Sequence, residues 1–140
     1  MASYTAIRYN AAQRTSAPMP DYPRRRLPQQ YLPLTVPVFQ ILLSLSDQDL
    51  HGYAIIQDIR ERTEGEVELT ASTLYAAIKR LLDTRLIEEL DTRPGAEDDD
   101  PRRRYYRMTT LGLDVARLET ARLERVLKMA RQKKLMPKKA

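Results

Sequence analysis

A basic pair, Lys79 and Arg80, and an arginine triplet, Arg102 to Arg104, are the side chains of this 140-residue chain best equipped to hold a ligand, and their chemistry suits phosphate. Ammonium and guanidinium groups donate charge-assisted hydrogen bonds to anionic oxygens, the guanidinium in a fork that matches them. Just ahead of the pair, Ser72 and Thr73 offer short hydroxyl donors. At the start of a helix the backbone dipole already favours an anion. Tyr75 has two roles open to it: donating its hydroxyl to a phosphate backbone, or packing. Taken singly, a basic pair on a helix or three arginines on a strand edge is equally a solvated face. Placing the pair on one helix and the triplet at the base of a hairpin behind it favours contact with DNA.

Other chemistry is not supplied. His51 is the sole histidine, so neither a catalytic triad nor a multi-histidine metal site can be assembled, and capping or packing at a helix start is its plain role. With no cysteine there is no disulfide, thiolate ligand or thiol nucleophile. The four glycines form no GxxxxGK phosphate cradle. Glu97, Asp98, Asp99 and Asp100 could ligate a hard cation, but they lack the alternating spacing and the glycine of a calcium loop, and a solvated turn fits better. The expectation is a protein with no catalytic residues, metal or cofactor.

The elements that must position the basic residues follow from periodicity. Thr35 caps a first helix with Pro37 in its first turn, and Val38, Ile41, Leu42 and Leu45 make its buried face. A second helix runs from about His51 to Thr63 on a stripe of Ile55, Ile56 and Ile59. Gly65 ends it, and Val67 to Leu69 reads as a short strand. A third helix, capped by Ser72, runs to about Thr84. Leu74, Ile78, Leu81 and Leu82 face inward, leaving Thr73, Ala76, Lys79 and Arg80 outside. Leu86 to Asp91 and Arg103 to Thr109 alternate as half-buried strands, joined by the polar loop PGAEDDDP. The last helix spans about 111–135 and stops at Pro137. Its residues Leu113, Ala116, Thr120, Leu123, Leu127 and Ala130 recur at three and four, a seam whose later turns nothing else in the chain can cover.

Charge is distributed unevenly. Residues 1–33 carry +4, residues 34–104 carry −6 and residues 105–140 carry +7, which sum to the net +5. Attraction to a polyanion must therefore come from local clusters. Residues 1–33, with five prolines and the run Arg24 to Arg26, read as a disordered arm, either a solvated tail or an arm that reaches DNA. The domains expected are this arm, a helix-turn-helix with wing over 34–110, a dimerisation helix over 111–135 and a basic tail over 136–140. No apolar run approaches the ~18 residues of a membrane span, no secretory signal is legible, and the cytoplasm is the expected location.

The runs HGYAI, TLYAAIKRL followed by LIEE, and RRRYYRMTTLG, in this order, resemble the PadR family of winged helix-turn-helix transcription regulators over roughly residues 33–135. The resemblance implies a mainly helical winged-helix domain with a small β-hairpin, made a homodimer by a C-terminal helix. It implies a repressor, often released by a small aromatic or drug-like effector. It places Ser72, Thr73, Tyr75, Lys79 and Arg80 at the groove, Arg102, Arg103 and Arg104 on the wing side, and Tyr53 near the backbone at the start of the second helix. The chain departs from the pattern in its acidic wing tip, its lack of tryptophan and its N-terminal arm. The function expected is sequence-specific binding of a pseudo-palindromic operator by a homodimer. The rival readings are a winged-helix protein-interaction adaptor with no DNA role, and a non-specific DNA binder driven by the basic tails.

Overall fold

A computed structural model describes residues 26–91 and 103–138. A 3-10 turn at Pro28–Tyr31 leads into helix α1 (Val36–Ser44), strand β1 (Leu50–His51) and helix α2 (Gly52–Arg62). Helix α3 (Ala71–Asp83), strands β2 (Ile87–Glu89) and β3 (Tyr105–Met108) and the long helix α4 (Thr110–Gln132) complete the chain. This is a mainly helical winged helix-turn-helix with a small antiparallel hairpin and a C-terminal helix.

Each helix starts on a side-chain acceptor that satisfies one of its unpaired N–H groups. Thr35 Oγ1 accepts from Val38 N, His51 Nδ1 from Ala54 N, Thr70 Oγ1 from Thr73 N and Thr109 Oγ1 from Gly112 N. Ser72 is therefore not the cap of α3, as the sequence suggested. Thr70 takes that role because its extended backbone aims the hydroxyl back at the first turn. Three helices close in the same way. Glu64, Arg85 and Lys134 adopt left-handed φ of 52°, 61° and 60°, and the next residue's N–H reaches back five positions: Gly65 to Arg60 O, Leu86 to Leu81 O, Leu135 to Ala130 O. Helix α4 thus ends through its own backbone at Gln132, ahead of Pro137.

Ile41 and Leu42 of α1, Ile55 and Ile59 of α2, Leu74 of α3 and Val115 of α4 are fully buried and hold the helices on one core. Each such side chain contributes on the order of 1.5–3 kcal/mol of burial free energy. Arg62 fixes the α1–α2 angle: it donates to Asp58 Oδ2 at 2.8 Å, Gln40 Oε1 at 2.9 Å and Ser44 Oγ at 2.8 Å.

The hairpin gains a third strand. β1 pairs antiparallel with β3 (Leu50 opposite Tyr106), so the sheet order is β1-β3-β2. Two residues are too few for alternation to show in a sequence. Val67 to Leu69 forms no strand; Val67 N donates to Thr63 Oγ1 at 3.0 Å, which ties this segment to the end of α2. The boundary expected at residue 34 also moves. Pro28 is buried, and Tyr31, Leu32 and Leu34 pack against the core, so residues from 28 onward belong to the folded unit. The rest of the expected arm, including Arg24 and Arg25, and the acidic tip Glu97 to Asp100 lie outside the described residues.

Candidate nucleic-acid interface

Helix α3 turns one face inward through Leu74, Ala77, Ile78 and Leu81 and presents Ser72, Thr73, Tyr75, Ala76, Lys79 and Arg80 to solvent, as their spacing requires. At its N-terminal end the hydroxyls gather: Thr70 Oγ1 lies 3.2 Å from Ser72 Oγ and 3.0 Å from Thr73 Oγ1. Lys79 Nζ pairs with Asp83 Oδ2 at 3.0 Å, both largely exposed. Such a pair is worth little in water, so Lys79 can exchange it for a phosphate at small cost. The Arg80 guanidinium has no hydrogen-bond or ion-pair partner among the described residues.

Beside the start of α3, the wing and α2 close a concavity of about 380 Å³ lined by Tyr53, Tyr75, Arg103, Arg104 and Tyr106. Gly52 is what lets Tyr75 cross it. A Cβ at position 52 would lie 2.6 Å from the Tyr75 hydroxyl and 3.2 Å from Leu74 Cδ2. The hydroxyl end of Tyr75 thus packs over Gly52 while 53% of the residue stays exposed. Tyr53 is exposed on the first turn of α2. Arg104 Nη1 is only loosely paired with Glu89 Oε1, at 3.8 Å. Burial raises the Tyr106 phenol above its usual range, Glu89 and Tyr75 add to that and Arg104 opposes it, so it remains a neutral donor at pH 7. Arg102 lies outside the described residues.

The sheet holds this concavity in place. On the opposite face of β3, Arg107 grips Asp49 with Nη2–Oδ2 at 2.9 Å, and the His51 and Tyr105 rings meet edge to face at 5.2 Å. His51 thus caps and packs, as its isolation in the sequence suggested.

The proposed dimer seam divides. Ala116 is buried in the domain core and Leu113 is half-buried, while Thr120 is exposed and donates its hydroxyl back to Ala116 O at 2.9 Å. Only the later turns are uncovered: Leu123, Val126, Leu127 and Met129 are 40–58% exposed, with Ala130 half-buried beside them. Periodicity missed Val126 because it lies one residue off the chosen row.

Sequence reasoning missed Glu119. It is 2% exposed on α4 and accepts from Leu34 N at 2.7 Å and from the Arg122 guanidinium. Burial alone would raise its pKa, but the Arg122 hydrogen bond and the Leu34 N–H outweigh that and hold it below the usual carboxylate value. A signal existed: Gly112, Val115, Ala116 and Glu119 follow one helical stripe, with the acid as its fourth member.

The model of the PadR-like family of transcriptional regulators matches residues 41–118, more than half of the chain. An uncharacterised protein of Lysinibacillus sphaericus is 38% identical over 72 residues, a match that spans 51% of this chain and 63% of that relative. Among solved structures, a PadR family transcription regulator from Clostridium difficile R20291 superposes with a TM-score of 0.60 at 28% identity, over 70% of this chain and 97% of that one. A transcriptional regulator from Clostridium thermocellum gives 0.58 at 26% identity, over 74% and 93%.

Proposed function

The chain belongs to the PadR-like family of transcriptional regulators, and on that basis we propose that it acts as a homodimeric repressor reading a pseudo-palindromic operator. DNA-binding transcriptional regulation is the family's activity. The observation that carries the finer proposal is the exposed polar face of α3, with Arg103, Arg104 and Tyr53 gathered at the end where its hydroxyls lie. In this reading Thr73, Lys79 and Arg80 address base edges and phosphates, while the wing arginines hold the flanking strand. Two copies zip along the uncovered turns of α4 and present two such faces to half-sites about one helical turn apart. Release by a small aromatic or drug-like effector remains part of the proposal on the family resemblance alone.

Titration of labelled duplex from the protein's own upstream region, followed by footprinting, tests it. Arg80→Ala is expected to weaken specific binding by about 1–3 kcal/mol if the guanidinium meets a base edge. An unchanged affinity would remove Arg80 from the contacts, and no protection by the intact protein at low salt would end the operator reading.

A further inference from the structure

Arg80 shares the exposed face of α3 with Thr73 and Ala76, but it also walls a second concavity at the opposite end of that helix. There the segment preceding α1 lies alongside the end of α3. Arg26 and Tyr31 from that segment, Arg80 and Asp83 from α3 and Arg85 from the turn after it line a cleft of about 750 Å³. We propose that this cleft is a second phosphate site, through which Arg26 and Arg85 grip the DNA strand beyond the groove that α3 enters. The proposal rests on the DNA reading above and adds to it a contact made in part by Arg26, which lies ahead of the family match that begins at residue 41.

Length makes the contact geometrically available. The thirteen residues of α3 extend ~20 Å at 1.5 Å each, whereas the major groove is about 12 Å wide, so both ends of a seated helix come near a backbone. At the start, the helix dipole and the Arg103–Arg104 concavity attract phosphate. At the other end the dipole alone repels it, and a strand there needs cations to reverse the sign. Among the described lining residues Arg26, Arg80 and Arg85 supply that charge, with one carboxylate, Asp83, beside them. Arg26 is held over the Tyr31 ring at 5.9 Å from its centroid, so an aromatic face orients it and leaves its donors to the ligand.

Val38, Leu81 and Leu86 in its lining are buried, whereas Arg26, Arg80, Asp83 and Arg85 are exposed, so the charged groups form the solvent edge of the cleft. A phosphodiester strand can run along that edge without entering the apolar interior.

The test is the salt dependence of operator binding by the full chain, compared for wild type, Arg26→Ala, Arg85→Gly and the double variant. Glycine is chosen at position 85 because the backbone there has φ 61°, a conformation glycine adopts freely. Each lost phosphate contact lowers the slope of log K against log salt by ~0.9, which is about eightfold in affinity at ~0.1 M salt. The double variant is expected to lose about twice that slope, and Arg26→Lys, which keeps the charge, to recover most of the Arg26→Ala loss. Arg104→Ala reports independently on the wing contact. If Arg104→Ala weakens binding while Arg26→Ala and Arg85→Gly keep both affinity and slope, the cleft is not a phosphate site. If wild type itself ignores the duplex at low salt, the DNA reading fails first.

Discussion

Single atoms decide two features of this molecule. Gly52 makes room for the Tyr75 hydroxyl, which lies 2.6 Å from where a Cβ would stand. Gly52→Ala is therefore expected to displace Tyr75 rather than unfold the chain, because the far end of a side chain can swing away. Stability should change by less than about 1 kcal/mol while duplex affinity falls severalfold, as a thermal melt and a titration would show. Equal affinity would mean that Tyr75 makes no contact from this position. Glu119 acts through charge. Its folded pKa is lowered, so its contribution is present above the ordinary value of 4.5 and is lost as pH falls through the folded value. Glu119→Gln keeps an acceptor for Leu34 N but loses the charged bond to Arg122, at a cost of about 1–3 kcal/mol near neutrality. Urea midpoints of the two proteins should converge in acid, and parallel pH curves would show that folding leaves the carboxylate's pKa unchanged.

Among the elements, the junction of wing and α4 tolerates least change. Thr109 Oγ1 donates to Arg85 O at 2.7 Å and accepts from Gly112 N, drawing the first turn of α4 onto the end of α3. A Cβ at Gly112 would stand 2.0 Å from Leu86 O and 2.9 Å from Met108 Cγ, against backbone that cannot swing aside. Gly112→Ala should cost at least about 1–3 kcal/mol, measured by urea denaturation, and a near-neutral result would show that α4 slides along the wing. The order of these elements was legible because each buried stripe is long enough to show its period. The two-residue strand β1 was not, and neither was the choice of Thr70 over Ser72 as cap, since both are good capping residues two positions apart. Within the site, Thr73, Lys79 and Arg80 were legible from helical spacing. Gly52 meets Tyr75 across 23 residues of chain, and Arg26 lines a cleft with Arg80 from 54 positions away, and no local pattern carries that information.

At the scale of the whole molecule, α4 links two tasks. Its first turns belong to the domain core through Val115, Ala116 and Glu119, and its later turns leave Leu123, Val126, Leu127 and Met129 uncovered. In the proposed dimer a second copy buries them. Leu127→Glu should then yield a folded monomer, with the mass halved at micromolar concentration and helical content retained. A duplex binder whose two half-sites are no longer joined loses the effective concentration that links its binding events. An unchanged dimer would shift the interface elsewhere on the molecule.

Stoichiometric titration of a footprinted duplex, read by solution mass, tests the central claim most directly. Two protomers should bind per duplex and protect two segments about one helical turn apart, near 34–36 Å between centres. One protomer on a single protected segment, or no complex at low ionic strength, would contradict it.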